Sequence, residues 1–182
     1  MKKRKKGEFE LKKLFVDMDG VLARFYEDPA YEEKMHDQGY FAGLRPYEAM
    51  LAAVDELRKR NDLRVYILSA SPNPIAAAEK ENWIAQRLQG YPIIGVFIVR
   101  NGDSKAEYIR SFFGELTQDD YLLDDHSANL VDWAAHGGSG IKFLNEFNGK
   151  GLNGVHWKGT RLNGNTDAEE ICEELCRILG IN

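Results

Sequence analysis

The sequence LFVDMDGVLA spans residues 14–23 and carries the strongest signal in this chain. It is an apolar run that ends in Asp17 and Asp19, two carboxylates two positions apart, followed by Gly20. Because the backbone turns where a strand ends, both carboxylates can reach the mouth of a parallel sheet, where open α/β folds bind their ligands. One carboxylate can then attack phosphorus while the other handles a proton. For these residues alone a surface turn is an equally good interpretation, and three later segments decide between the two.

Composition and charge limit the class of protein. The 182 residues are 43% apolar and carry a formal net charge of −5. A chain of this length supports one full core, and its acidic balance does not favour binding to a nucleic-acid polymer. The sequence contains no apolar run of about 18 residues, so we expect no membrane span. The Lys-rich start has no apolar stretch behind it that would make a signal peptide, so we expect a cytoplasmic protein.

The two ends of the sequence add little chemistry. Residues 1–10 are predicted to form a basic tail, because positions 2–6 are all Lys or Arg, and a solvated end is the favoured interpretation over phosphate binding. Residues 11–182 are predicted to form a single domain. Cys172 and Cys176 lie four positions apart in a predicted helix, without a second pair at metal-ligand spacing, which argues against zinc and against a disulfide framework.

Apolar runs alternate with amphipathic patterns along most of the chain. The runs that predict strands are residues 11–16, 64–68, 93–99, 121–123 and 141–144. The patterns that predict helices are residues 46–60, 74–88, 104–113 and 166–179. Strands that alternate with helices indicate a parallel sheet between two helical layers, which is a three-layer α/β fold.

Two segments break this alternation. Residues 25–45 are rich in Tyr, Glu, Asp and Gly and lie between the first strand and its crossover helix. An α/β fold grows lids over its strand ends at such a position, so we predict a small cap there. Residues 145–165 are rich in Asn and Gly and are predicted to form a long loop or a hairpin, to which the sequence assigns no role.

Polar residues occur near the ends of predicted elements at four places along the chain. They are Asp17 with Asp19, then Ser69, then Lys105, then Asp124 with Asp125. A carboxylate that attacks a phosphate dianion meets a repulsion of about 4 kcal/mol per charge pair at 4 Å and an effective dielectric of 20, so cations must offset it. Mg²⁺ takes one or two carboxylates together with substrate phosphate. Asp17, Asp125 and the Asp19 carbonyl can provide its ligands, and Lys105 adds a second positive charge.

In this order the four features resemble the four motifs of the haloacid dehalogenase superfamily of phosphohydrolases, over about residues 11–145. The resemblance implies a Rossmann-like fold with a parallel sheet and a small helical cap inserted after the first strand. It implies that Asp17 is a nucleophile that forms an aspartyl-phosphate, and that Asp19 protonates the leaving oxygen and then activates water. The implied phosphate ligands are Ser69 and Lys105, and the implied metal ligands are Asp17, Asp19, Asp125 and Asp124. Asp125 matches the direct ligand and Asp124 the supporting carboxylate, and both are retained.

A nearer likeness is to the 5'(3')-deoxyribonucleotidases of that superfamily. It is carried by residues 17–23, 39–41 with 44–46, 69–72 and 79–84. This resemblance implies that the cap brings Tyr40 and Phe41 onto a nucleoside and that Lys80 contacts the substrate. An aromatic wall without hydroxyl partners suits a deoxyribose, because a buried 2'-hydroxyl would lose its hydrogen bonds to water at a cost of about 1–3 kcal/mol.

Alternatives remain open for residues and for function. Ser71 competes with Ser69 for the phosphate role, since one extra residue separates Ser69 from the proline that follows such a hydroxyl in the family motif. The alternative for Phe41 is that it packs in the core, because aromatic residues beside a crossover helix are usually buried. We expect the substrate to be a small phosphomonoester. We expect no membrane partner, and the sequence is compatible with a homo-oligomer. The alternative functions are a phosphatase for another phosphorylated metabolite and a receiver-like phosphoacceptor module.

Overall fold

The computed structural model describes residues 11–90, 95–148 and 156–181. The predicted basic tail lies outside these residues, as do residues 149–155 of the Asn- and Gly-rich segment. Six described strands form one sheet in which every neighbouring pair is parallel. The strands are β1 (Lys12–Val16), β2 (Leu63–Ser71), β3 (Gly95–Arg100), β4 (Asp120–Asp124), β5 (Ser139–Leu144) and β6 (Thr160–Asn163). The described α-helices are α1 (Tyr31–Lys34), α2 (Glu48–Leu57), α3 (Pro74–Arg87), α4 (Lys105–Phe113), α5 (Ser127–Ala135) and α6 (Ala168–Leu179).

The strand order is β3-β2-β1-β4-β5-β6. The chain moves outward from β1 through β2 and β3, and it then crosses to the other side of β1 for β4, β5 and β6. The order therefore reverses between β1 and β4, and the carboxyl ends of these two strands border a crevice of the kind in which α/β folds bind ligands. The predicted α/β fold with a parallel sheet is confirmed. None of the described helices is long and apolar enough to cross a membrane.

Strand β1 lies at the centre of the sheet because its residues are apolar on both faces. Leu14, Phe15 and Val16 are all fully buried. Leu14 and Val16 pack into the core formed with α2, α3 and α6, whereas Phe15 packs into the core formed with α4 and α5. A continuous apolar run of this kind is typical of a strand covered by helices on both sides. The acidic residues that follow β1 are therefore held by a rigid element.

Strands β2 and β6 depart most from the sequence prediction. Strand β2 continues to Ser71, so Ser69 lies within the strand and not directly after it. The segment predicted as a loop or hairpin, residues 145–165, contains β6, which pairs in parallel with β5. This strand has only four residues, and its single buried residue is Leu162. Such a short edge strand leaves no apolar alternation in the sequence, which is why the pattern predicted a loop.

Residues 25–45, which the sequence predicts to form a cap, lie between β1 and α2 and are called the cap below. They comprise a short 3₁₀ helix (Phe25–Glu27), helix α1 and a series of turns. Helix α3 fastens this segment to the domain. The Glu79 carboxylate accepts hydrogen bonds from the amides of Gly39 (2.6 Å) and Phe41 (3.2 Å). Trp83 Nε1 donates to the Leu44 carbonyl over 2.8 Å. The second half of the cap is therefore held by two side chains one helical turn apart on α3.

We expect the substitution Glu79→Ala to loosen the cap, because the cap amides lose a charged acceptor. The free energy of unfolding should fall by about 1 to 2 kcal/mol in urea denaturation. Hydrogen exchange at the Gly39 and Phe41 amides should accelerate more than exchange in β1. Glu81→Ala, at an exposed position of the same helix, serves as the control and should leave both measurements unchanged. Equal exchange rates in the two variants would contradict this account of the cap.

Candidate active site

The carboxyl ends of β1 and β4 bring three buried aspartates together. The Asp17 amide donates to the Leu123 carbonyl over 2.9 Å, which fixes the end of β1 beside the end of β4. Oxygen atoms of Asp17, Asp124 and Asp125 all lie within 4.8 Å of one another. Two acidic motifs more than 100 positions apart in the sequence thus meet at one point of the sheet edge, as predicted. The Asp19 side chain is not part of this cluster.

Lys105 lies against the acidic cluster from the first turn of α4. Its Nζ is 2.7 Å from Asp124 Oδ2 and 2.9 Å from Asp17 Oδ2. Ser104 caps the helix by accepting a hydrogen bond from the Glu107 amide, which orients this first turn. Burial by itself would lower the pKa of Lys105, but the charges of Asp124 and Asp17 outweigh it and raise the pKa above its ordinary value. Lys105 is therefore an ammonium group held in a fixed position between Asp17 and Asp124.

Asp124 and Asp125 have different surroundings. Asp124 Oδ1 accepts from the His126 amide (2.7 Å), and Oδ2 accepts from Lys105 and from Asn129 Nδ2 (2.9 Å). Among the described residues, the Asp125 carboxylate accepts one hydrogen bond, at Oδ2 from Asn145 Nδ2 over 3.4 Å. Both oxygens of Asp124 thus accept hydrogen bonds from protein donors, whereas the Asp125 carboxylate has lone pairs that could coordinate a metal ion.

The acidic cluster carries more negative charge than its surroundings balance. Burial raises the pKa of Asp17 to about 6, although Lys105 opposes the rise and Asp124 adds to it. Burial, followed by the charges of Asp124 and Asp17, raises the pKa of Asp125 well above its ordinary value. Carboxylate oxygens crowded in this way are the donor set that hard divalent cations prefer. The residues present therefore fit a divalent metal ion.

Gly20 allows the loop after β1 to pass directly against Asp125. Its φ angle is 70°, in the left-handed region that favours glycine, and a Cβ atom there would lie 2.3 Å from Asp125 Oδ2. The Gly20 carbonyl accepts a hydrogen bond from Asn145 Nδ2 over 2.8 Å. The glycine of the Asp-x-Asp-Gly sequence is thus needed for contact between the two acidic motifs and not merely for a turn.

Lys80 extends from α3 into the interior of the protein, where it contacts β2 and Asp19. Its side chain is fully buried, and its Nζ contacts Asp19 Oδ2, Ser69 Oγ (3.2 Å) and the Ala70 carbonyl (2.5 Å). An ammonium group has three N–H donors. All three donors thus have partners in this structure, and the contact between Lys80 and a substrate stays a prediction.

The two candidate hydroxyls also differ in their contacts. Ser69 is fully buried beside Lys80 and thereby near Asp19, whereas Ser71 Oγ donates to the Asn73 carbonyl over 2.8 Å at the start of α3. Ser69 is the hydroxyl that lies with the other motif residues.

The cap places its aromatic residues unequally. Phe41 is fully buried, stacks on Phe25 with ring centroids 6.0 Å apart, and has Lys80 Nζ 4.4 Å from its own centroid. Phe41 has no exposed surface in this structure, and its contact with a nucleoside stays a prediction. Tyr40 is half-buried and lines a cavity of about 530 Å³ beside the cap. It donates its hydroxyl to the Phe25 carbonyl over 2.9 Å.

Three residues near the acidic cluster were missed by the sequence analysis. Tyr26 lies beside Gly20, because a Cβ atom on Gly20 would be 2.8 Å from the ring of Tyr26. Burial raises the pKa of the Tyr26 hydroxyl, and the charge of Asp125 is the next largest cause. Lys142 Nζ donates to the Asp125 carbonyl. Asn145 bonds both Gly20 and Asp125 from the position directly after β5. The rule that sites form at the carboxyl ends of parallel strands, already applied to β1 and β4, would have indicated Asn145.

Known proteins resemble this chain in sequence and in fold. No family model matches the chain. A protein of Vibrio phage KVP40 described as a "Putative 5'(3')-deoxyribonucleotidase" is 29% identical over 131 residues, which are 64% of this chain and 67% of that protein.

Solved structures resemble the whole domain. The D,D-heptose 1,7-bisphosphate phosphatase of B. bronchiseptica, solved with magnesium and phosphate, superposes with a TM-score of 0.65 at 15% identity, covering 92% of this chain and 99% of its own. An L-2-haloacid dehalogenase gives 0.63 at 13% identity, with 91% and 100% covered. A hydrolase of the same superfamily from Ehrlichia chaffeensis gives 0.58 at 11% identity, with 93% and 99% covered. The resemblance drawn from the four motifs is confirmed: this chain has the haloacid dehalogenase fold.

Proposed function

We propose that this protein is a Mg²⁺-dependent phosphomonoesterase that works through an aspartyl-phosphate, with deoxyribonucleoside 5'-monophosphates as its substrate class. The observation that carries the proposal is the convergence of Asp17, Asp124 and Asp125 with Lys105 at one strand edge. This set combines a nucleophile, a cation and a place for a metal ion within a few ångströms. Phosphoryl transfer needs little else from a protein beyond positioning and charge neutralisation.

Asp17 is the proposed nucleophile. Its Oδ1 accepts from the Met18 amide (2.7 Å) and its Oδ2 from Lys105 (2.9 Å), so the carboxylate is held at both oxygens. Asp17, Asp125 and the carbonyl of Asp19 would hold the Mg²⁺ ion, with Asp124 orienting Lys105 behind them. The ion would neutralise charge on the substrate phosphate. Lys105 has one N–H beyond its two carboxylate partners, and this donor and the Ser69 hydroxyl are the proposed phosphate contacts.

Asp19 is the proposed acid and base. It would protonate the leaving oxygen while Asp17 attacks phosphorus, and it would then take a proton from the water that hydrolyses the aspartyl-phosphate. This second role distinguishes a hydrolase from a receiver-like module, which keeps its phosphoryl group. The hydroxyl and lysine motifs are shared by both, so turnover is the property that separates them.

Support for a nucleotide substrate comes from the similarity to the phage protein and from the cap. Tyr40 and Tyr26 are the cap residues proposed to face the nucleoside, in place of the buried Phe41. Tyr40 lines a cavity formed by cap residues, and the ring of Tyr26 lies beside Gly20, which contacts Asp125. Phosphatase action on another small phosphorylated metabolite is the second candidate, because the same acidic cluster would serve any phosphomonoester.

We expect the protein with Mg²⁺ to release phosphate from a panel of nucleoside monophosphates, and to prefer deoxyribonucleotides. Asp17→Asn should lower kcat at least about 10³-fold, because an amide is a poor nucleophile, while substrate binding measured by calorimetry persists. Asp119→Asn, at the opposite end of β4, is the matched control and should retain activity. Absence of phosphate release from every phosphomonoester by folded protein would reject the proposed function, and stable phosphorylation without release would favour the receiver-like alternative.

The raised pKa values also make a prediction about stability. A carboxyl whose pKa rises from 3.8 to about 6 on folding, as for Asp17, binds protons that the unfolded chain has released. The metal-free protein should therefore lose stability as pH rises from about 4 through 6. We expect the Tm in EDTA to be higher at pH 5 than at pH 7.5, and added Mg²⁺ to raise the Tm more at pH 7.5.

The variant Asp125→Asn tests the same charge balance. It should raise the Tm of the metal-free protein at pH 7.5, because a buried like charge is removed, and it should abolish the increase produced by Mg²⁺. Asp119→Asn should leave the Mg²⁺ effect intact. An equal Mg²⁺ effect in both variants would contradict the assignment of Asp125 as a metal ligand.

A further inference from the structure

We infer that Lys80 is a positioning residue that acts through Asp19: it holds Asp19 Oδ2, so that Oδ1 carries the transferred proton toward the leaving oxygen. This inference rests on the proposed function and adds to it a residue whose predicted role was a different one. The geometry that supports it is the contact of the buried Lys80 ammonium with Asp19 Oδ2.

The ammonium group of Lys80 has a fixed position. It donates hydrogen bonds to Ser69 Oγ (3.2 Å) and to the Ala70 carbonyl (2.5 Å) on β2, and its fully buried stem comes from α3. The ring of Phe41 lies on another side, with its centroid 4.4 Å from Nζ. Two hydrogen-bond acceptors on β2 and the face of an aromatic ring hold the ammonium group in place. Its position therefore does not depend on the conformation of Asp19. Lys80 therefore sets where Asp19 Oδ2 lies.

The two oxygens of Asp19 have opposite surroundings. Oδ2 contacts Lys80, whereas Oδ1 is buried and, among the described residues, has no hydrogen-bond partner. A proton on the carboxyl group cannot share Oδ2 with an ammonium donor, so Oδ1 is the oxygen that would carry it. An unpartnered buried oxygen is costly unless something else binds it. The leaving oxygen of a substrate and, later, the attacking water are groups that would satisfy it.

The charges change in the direction that this ion pair favours. As a bond forms between Asp17 and phosphorus, the bond to the leaving oxygen breaks and the Asp19 proton passes to that oxygen. Asp19 thereby becomes a carboxylate next to the Lys80 ammonium. The attraction between them grows as the step proceeds, which is the condition for an interaction to accelerate chemistry. When water hydrolyses the aspartyl-phosphate, its proton returns to Asp19.

The dependence of rate on the leaving group tests this inference. The protein is loaded with Mg²⁺, and kcat/KM is measured for a series of phenyl phosphates from 4-nitrophenyl, a weakly basic leaving group, to 4-methylphenyl, a more basic one. This quantity covers the steps up to phenol release, so later hydrolysis does not enter. Lys80→Met should lower kcat/KM by about 10²-fold for the basic leaving group and only a few-fold for 4-nitrophenyl, since general acid catalysis contributes about 10²–10⁴-fold where it is needed.

Matched variants separate positioning from a general structural effect. Lys59→Met makes the same change at a partly exposed lysine and should change kcat/KM for neither phenyl phosphate. Asp19→Asn should reproduce the leaving-group dependence of Lys80→Met, and combining the two should cost little more than Asp19→Asn alone. If Lys80→Met does not fold, Lys80→Gln removes the charge while keeping donors for β2 and carries the same expectation.

The outcomes distinguish the inference from the proposed function. Equal losses of kcat/KM for all leaving groups, or additive losses in the double variant, would overturn the inference while the phosphatase proposal stands. Such a result would assign Lys80 to phosphate binding or to stability alone. A wild-type protein that hydrolyses none of the phenyl phosphates or nucleotides would instead overturn the proposed function itself.

Discussion

The site depends on one ammonium group, that of Lys105, which lies between the acidic ends of the two central strands. Its distances of 2.9 Å to Asp17 and 2.7 Å to Asp124 join β1 and β4 at the place where the strand order reverses. Removing one partner from a buried ion pair of this kind costs about 3–5 kcal/mol, because the remaining charge has no water around it. Strands β1 and β4 thus pair through the apolar residues 14–16 and 121–123 and are joined electrostatically at their carboxyl ends, so the ion pairs of Lys105 help to hold the two strands together.

Helix α3 connects the other half of the site to the core. Three of its side chains reach different targets: Glu79 the cap amides, Lys80 the Asp19 carboxylate, and Trp83 the carbonyl of Leu44. Residues 79 and 83 lie one turn apart and face the cap, while residue 80 points toward the strand ends. Helix α3 therefore holds both the second half of the cap and the side chain of Asp19.

Much of this arrangement could be predicted from the sequence. The apolar run before Asp17, the alternation of strands and helices, and the acidic pair after β4 all follow from local patterns, and the parallel sheet then requires them to meet. What could not be predicted is the direction in which single side chains point. Lys80 and Phe41 were assigned to a substrate, yet both are fully buried and face each other. The partners of a buried lysine come from distant parts of the sequence, as Asp19 does for Lys80, so local sequence patterns do not predict them.

The attachment of the cap has a consequence for how such a protein can diversify. The turns from Gly39 to Leu44 are tied to α3, whereas helix α1, Tyr31–Lys34, buries none of its residues. Lengthening the chain near α1 would leave the ties to Glu79 and Trp83 intact, whereas lengthening it after Gly39 would break them and shift the neighbours of Lys80. An insertion near α1 is therefore expected to cost less stability than an insertion after Gly39, so the first half of the cap can change length more freely than the second.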